Sequence, residues 1–452
     1  MQFQLLEEVE EEITQFLSDL IRFDTTNPPG NETEAAKYVA QCLGRDGFKC
    51  ELYGPSPSRN SVITCLKGTG EKPSLLLLSH LDVVAANAKE WSVDPFSGVV
   101  KDGFVWGRGA MDMKGMTAIE VMVMKLLKRN KVRLKGDVLL AATADEEQGG
   151  LLGADYLLRN YAEKICADYV LNEGGGLALP VLGKNVYTVQ TAEKGILWFR
   201  VKARGIPGHG SMPNTADNSI MRMNEVIETL GNYRAEVSLV PTMKRFLSEI
   251  AKGDASLQES FSRLVANPEQ SDEVLGELDE GAKWLADEIR PRIRMTVTPT
   301  MIRGGVKENV IPSECETVFD CRILPGQNTA ETIQLVRQLL KNVSLDKLAF
   351  ETLQVNEPSE SAAETPLFDV IASVLREYEP GCGVTPTMAT GGTDSRFFRK
   401  MGSVCYGFHP MKPEEGYGNM VNRLHGIDER ISIKNLVFGA SVLYEVVKRF
   451  MS

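Results

Sequence analysis

Four histidines occur in 452 residues, and three of them, His80, His209 and His425, stand in glycine-rich loops or at the end of an apolar run. The chain sets carboxylates in the same kind of place. Asp82 follows in His80-Leu81-Asp82-Val83-Val84, and Asp112 lies in Gly107-Arg108-Gly109-Ala110-Met111-Asp112-Met113-Lys114-Gly115. Glu146 and Glu147 lie in Ala144-Asp145-Glu146-Glu147-Gln148, and Glu173 in Asn172-Glu173-Gly174-Gly175-Gly176. Two imidazoles and several carboxylates, one of them shareable, make a donor set suited to two divalent cations, with one acid left over for proton transfer. His409, in Tyr406-Gly407-Phe408-His409-Pro410, is assigned no chemistry.

Each role follows from a physical need. A bridging carboxylate must present both oxygens outward, which suits Asp112 at a loop-to-helix junction. Asp82 either ligates or holds the second ring nitrogen of His80; the second role is favoured, because ligating imidazoles usually give their free N–H to an acceptor. Glu146 and Glu147 are sequence neighbours and cannot face one point from an extended chain, so one ligates and the other stays free as a base. Two dications against Asp112, Glu147 and Glu173 leave 4 − 3 = +1. That surplus favours hydroxide over water between the metals, where bound water can reach a pKa of about 7.

These residues need strand ends to hold them. Leu75-Leu76-Leu77-Leu78-Ser79 reads as a buried strand that stops at His80, and period-two alternation points His80 and Asp82 the same way. Asp137 to Ala142 and Asp168 to Leu171 read as two more strands ending in acids, with helices between. Strand and helix alternating in this way build a mostly parallel sheet covered on both faces, with ligands outside the strand ends. The chain opens with an amphipathic helix carrying Leu6, Val9, Ile13, Phe16, Leu17 and Leu20, and a second helix is expected to start at Asn31 as N-cap, with Glu34 as capping-box acid. After Val186 the rhythm changes. Tyr187 to Gln190 and Gly195 to Ala203 read as an antiparallel pair, and further strands with two helices complete an α+β unit that includes a polar helical stretch near residues 241–290. The expected organisation is a catalytic domain in two parts, 1–186 and 357–452, interrupted by an inserted domain over 187–356.

Composition narrows the class. A length of 452 residues is more than one core usually holds. With 50 Lys and Arg against 61 Asp and Glu the net charge is −11, which argues against nucleic acid or an anionic membrane as partner. Eight cysteines without a C-x-x-C pair point to neither a zinc knuckle nor a disulfide framework, and suit the reducing cytoplasm. The acidic amphipathic start lacks the basic and long apolar segments of a signal peptide or spanning helix.

The segments HLDVV, GRGAMDMKG, ADEEQGG, NEGGG, GIPGHGSMP, GGVKENVIPS, DCRILPG, GGTDSRF and LHGIDE together resemble the co-catalytic dizinc amidohydrolase and exopeptidase family. That family includes aminoacylase-1, acetylornithine deacetylase, succinyl-diaminopimelate desuccinylase and glutamate carboxypeptidase. The resemblance implies an α/β, phosphorylase/hydrolase-like catalytic domain with an inserted α+β lid or dimerisation domain. It implies two divalent ions, zinc first with cobalt or manganese as alternatives: one held by His80 and Glu173, the other by Glu147 and His425, with Asp112 bridging. Asp82 would orient His80, and Glu146 would be the general base. By the same matching His209 stabilises the oxyanion, Asn309 and Arg322 hold the substrate carboxylate, and Gly392 and Thr393 contact the substrate backbone. A glutamate at position 173 matches the deacylases, where peptidases of the family tend to carry aspartate. The implied activity is hydrolysis of N-acyl amino acids, with carboxypeptidase or dipeptidase action on short peptides as the alternative, in a cytoplasmic homodimer.

Overall fold

The computed structural model describes residues 2–279 and 282–452, with the side chains of residues 2–8 and 279 left out. The chain divides into two units, Met1–Thr191 with Ser361–Thr387 and Thr393–Ser452, and Ala192–Glu360 with Met388–Gly392. Residue 186 and the division at Thr191/Ala192 both lie inside one strand, Lys184–Glu193.

In the first unit the sheet order is Glu51–Tyr53, Ser61–Leu66, Val138–Thr143, Leu75–His80, Tyr169–Asn172, Val404–Gly407 and Lys184–Glu193. The four strands from Val138–Thr143 to Val404–Gly407 are mutually parallel, and the flanking pairings are antiparallel. Period two sorts their side chains between two cores. Leu75 and Leu77 join Val138, Leu140 and Ala142 in a cluster with the helices Lys114–Arg129 and Ile433–Met451, while Leu76 and Leu78 join Leu139 and Ala141 against the helices Ala154–Ile165 and Ser395–Lys400. Burial on both faces explains why the strand reads as a continuous apolar run.

The amino-terminal helix Gln2–Ile21 buries Val9, Ile13, Phe16, Leu17 and Leu20; the side chain of Leu6 lies outside the described residues. The helix Glu32–Arg45 starts where expected, but the Asn31 side chain makes no cap hydrogen bond and Glu34 pairs with Lys37. Glu32 turns inward to Arg59 instead.

The second unit has a four-stranded antiparallel sheet, ordered Thr296–Gly304, Glu314–Ile323, Gly195–Arg204 and Leu348–Asn356. Leu197, Phe199, Val201, Phe319 and Cys321 pack with Met223, Val226 and Leu230 of the helix Ser219–Gly231 and Val336 of the helix Thr329–Leu339. Among the described residues, the helices Pro241–Ile250, Ala255–Ala266, Ser271–Asp279 and Lys283–Ile289 occupy the polar stretch. The antiparallel pairing expected between Tyr187–Gln190 and Gly195–Ala203 does not form. Tyr187 and Val189 are committed to the core of the first unit and Leu197 and Phe199 to that of the second, so the two strands belong to different sheets.

Candidate active site

His80, Glu146, Glu147 and Glu173 leave the carboxyl ends of three parallel strands, while Asp112 stands just before the helix Lys114–Arg129 and His425 in the turn ahead of the strand Arg430–Ser432. His80 is the last residue of its strand. Val138–Thr143 is followed by Asp145, held at φ 73°, and a single 3-10 turn Glu146–Gln148. Tyr169–Asn172 runs into Glu173 and three left-handed glycines. A Cβ on Gly174 would lie 1.9 Å from Oε1 of Gln190, and one on Gly176 2.2 Å from the backbone of His409, so this turn has no room for side chains.

The ligand atoms of His80, Asp112 and Glu173 lie within 4.8 Å of one another, and so do those of Asp112, Glu147 and His425. Asp112 belongs to both groups. Its Oδ1 is 3.3 Å from Nε2 of His80 and its Oδ2 3.1 Å from Nε2 of His425. His80 Nε2 is also 3.7 Å from Glu173, and His425 Nε2 3.4 Å from Glu147. The other ring nitrogen of His80 is tied down. His80 Nδ1 sits 2.9 Å from the main-chain carbonyl of Asp82 and 3.5 Å from its carboxylate, so the ring is oriented chiefly by the backbone of Asp82. The carboxylate accepts the amides of Glu146 at 3.0 Å and Glu147 at 3.1 Å, setting the turn that carries them.

Electrostatics follow from this crowding. Burial opposes a charge on His80, yet Glu173, Asp112 and Asp82 raise its pKa well above the ordinary imidazole value. Hydrogen bonds to Asp112 and Glu147 lift His425 to about 10. Burial and then the charge of Glu173 push Glu146 well above the usual carboxylate range, and burial brings Glu173 to about 6. For Asp112, burial pulls upward but the two imidazoles prevail and hold its carboxyl low. Asp112, Glu147 and Glu173 share the imidazoles of His80 and His425, Glu146 adds a further carboxyl that feels the charge of Glu173 and Glu147, and the buried Oε1 of Glu147 has no hydrogen-bond partner. A cluster with surplus acid, an orphaned ligand oxygen and one carboxylate open to both sides fits two divalent cations.

Several partners escaped the sequence reading. Glu429, fully buried, accepts the amides of Met111 at 2.7 Å and Asp112 at 3.0 Å, and pairs with Arg108 at 2.7 Å. Arg108 also donates to the carbonyls of His425 at 3.3 Å and Gly426 at 2.9 Å, so one ion pair positions both the shared carboxylate and the second imidazole. Arg108 and Glu429 stand inside two of the quoted motifs, and their buried charge in glycine-rich segments was the available signal. Asn27, Arg59, Glu32 and Asp145 form a second buried network beside Asp82. Asp394 is buried, accepts from Thr143 at 3.1 Å, and is raised by burial to about 7. His409 is buried with Nε2 unpartnered, and burial lowers it to about 4.

The remaining candidates divide between the units. Thr393 lies in the first, where its hydroxyl accepts from Ser395 N at 3.2 Å and Asn172 at 3.3 Å. Gly392, His209, Asn309 and Arg322 lie in the second. His209 is exposed and its Nδ1 accepts from Ser211 N at 3.2 Å, which leaves the proton of the neutral ring on Nε2. Asn309, also exposed, is its neighbour: its carbonyl accepts from Gly210 at 2.8 Å. Arg322 is not free. Asp320 takes its Nε at 2.6 Å and Nη2 at 3.0 Å, and the carbonyl of Thr390 takes Nη1 at 3.2 Å. Guanidinium carries five N–H donors, so one remains on each terminal nitrogen, a fork still able to take a carboxylate.

A family profile described as Peptidase family M20/M25/M40 matches residues 76–449. The chain is 29% identical over 401 residues to "Probable carboxypeptidase S-like 2" of Dictyostelium discoideum, covering 86% of this chain and 74% of that one. It is 29% identical over 405 residues to "N-fatty-acyl-amino acid synthase/hydrolase PM20D1" of Mus musculus, covering 84% and 75%. Its fold matches the crystal structure of a metallo-carboxypeptidase, Sso-CP2, from Sulfolobus solfataricus with a TM-score of 0.75 at 20% identity, over 97% of this chain and 99% of that one.

Proposed function

The chain belongs to peptidase family M20/M25/M40 and is a metallohydrolase, and from that premise we propose that it hydrolyses the amide bond of N-acyl amino acids. Asp112 carries this reading, because its two oxygens face two imidazoles and join two three-residue groups. Glutamate at position 173 and the N-acyl amino acid relative from Mus musculus favour the deacylase over the peptidase reading. The carboxypeptidase named in Dictyostelium discoideum keeps action on short peptides as the second reading.

Two divalent cations, zinc first and cobalt or manganese next, would be held by His80 and Glu173, by Glu147 and His425, and by Asp112 between them, and when bound would polarise water and the scissile carbonyl. Glu146 is the carboxylate beside them with no ligand role. It takes a proton from the attacking water and gives it to the leaving amine. His209, with its proton on Nε2, donates to the oxyanion as the carbonyl carbon becomes tetrahedral. The free fork of Arg322, with Asn309 as a neutral donor, takes the substrate carboxylate, while Gly392 and Thr393 border its backbone. We place the enzyme in the cytoplasm, in keeping with eight free cysteines. No helix among the described residues is long and apolar enough to cross a membrane. A homodimer through the inserted unit is supported by its edge strand Thr296–Gly304, where Met301 and Ile302 are exposed.

Replacing Glu146 by Gln tests the assignment. Loss of a general base lowers kcat by roughly two to four orders of magnitude, while the metal content stays at two ions per chain. A panel of N-acyl amino acids and dipeptides assayed with zinc, cobalt and manganese in turn decides between the two substrate classes. Near-normal turnover by the Gln variant removes Glu146 from the role of base.

A further inference from the structure

We infer that Asn27 is a positioning residue for catalysis: its carboxamide holds the Asp145–Glu147 turn, and hence the general base, in register with the metal ligands. The inference rests on the roles proposed above for Glu146 and Glu147. Asn27 Nδ2 donates to Oδ2 of Asp82 at 2.9 Å and to Oδ1 of Asp145 at 3.1 Å. Both neighbours are buried carboxylates, so the nitrogen end of the amide must face them, one N–H to each.

The two carboxylates control the turn from two sides. Asp82 accepts the amides of Glu146 and Glu147. Asp145, the residue before them, has a left-handed backbone at φ 73° and is pinned by its side chain, which accepts from Leu152 N at 2.9 Å and Arg59 at 2.8 Å. Among the described residues Asn27 is the group that bonds to both carboxylates. Two buried anions that share a neutral double donor stay together; without it they repel, and the turn between them is released.

The amide is itself held in place. Asn27 N donates to Val83 O at 2.9 Å, Val83 N donates to Thr25 O at 3.1 Å, and the Thr25 hydroxyl donates to Leu81 O at 2.6 Å, so the loop is stitched to the segment that leaves His80. One path of hydrogen bonds therefore links the backbone beside His80 to the base. Asn27 touches no candidate metal ligand with its side chain, so its effect should appear in turnover and not in metal retention.

The test compares Asn27→Ala and Asn27→Ser with the parent and with Glu146→Gln as metal-loaded full chains, measuring kcat, KM, metal per chain and Tm. A displacement of about 1 Å in a catalytic group can cost about 100-fold, so Asn27→Ala should lower kcat by roughly 10- to 100-fold with KM within about twofold and metal content unchanged. Asn27→Ser, with a single donor, should fall between Ala and parent. A kcat near the parent's, a loss that follows metal content or KM, or two variants that both fail to fold would each overturn the inference and leave Asn27 with a structural role. If Glu146→Gln is inactive while Asn27→Ala is not, only this inference fails; if Glu146→Gln is active, the base assignment beneath it fails.

Discussion

The two units hold their candidate residues by opposite means. In the first, His80, Glu147 and Glu173 converge from separate strand ends on Asp112, which stands just before the helix Lys114–Arg129, and they are braced by buried partners, Asp82 and Glu429 among them. In the second, His209 and Asn309 are exposed, and Arg322 is held by Asp320, two residues away on its own strand. Preorganisation in the first unit comes from burial and pairing. Like charges gathered in a low dielectric stay in place only if the chain around them is rigid and each has a partner. Surface side chains take their direction from near neighbours and remain open to a ligand.

The contrast is broken most severely at Asp112. Asp112→Ala should empty both cation sites and reduce turnover to background, read from metal content and rate on the same sample, with the fold retained by circular dichroism. Retention of one ion per chain would show that the two groups are independent and that Asp112 does not join them.

A smaller effect is expected in the second unit. Arg322→Ala, and amidation of the substrate carboxylate, should each lower kcat/KM by about one to two orders of magnitude, since a charge-assisted bond contributes about 1.5–3 kcal/mol and about 1.4 kcal/mol is tenfold. The losses should not add, because each removes one and the same contact. Additive losses in the four-way cycle would leave Arg322 as a partner of Asp320 and nothing more.

The smallest effect concerns pH. His425 has a folded pKa of about 10 against an ordinary 6.5, raised by Asp112 and Glu147. A raised folded pKa adds stability that is fully present below 6.5 and is lost as pH rises through about 10. Metal-stripped protein should therefore lose Tm over that window by more than metal-loaded protein, where the cation takes the place of the proton. Parallel Tm profiles would mean that the proton on His425 contributes nothing to the fold.

Much of the first unit was legible in the sequence, for local reasons. Leu75–Leu78 is apolar at every position because both faces are covered, and acids or histidine at the ends of three strands mark one edge of the sheet. The strand after Val186 was misread: Tyr187–Gln190 and Gly195–Ala203 are near in sequence and similar in pattern, and only their cores assign them to different sheets. The capping box expected at Asn31 is absent, Glu34 pairing with Lys37, while Glu32 finds Arg59, a partner 27 residues away that local rules do not see.

The sequence by itself determined the family, the ligand types and the elements that carry them, since residue chemistry and side-chain period are properties of neighbours along the chain. The tertiary structure was needed to see that the backbone of Asp82, more than its carboxylate, orients His80, and that Asp320 already holds one edge of Arg322. It alone paired Arg108 with Glu429 across 321 residues and brought Asn27 to Asp145 across 118. The physical reason is that a buried charge is stabilised by whatever group the folded path brings within about 3 Å, and that path follows from the packing of whole sheets and helices.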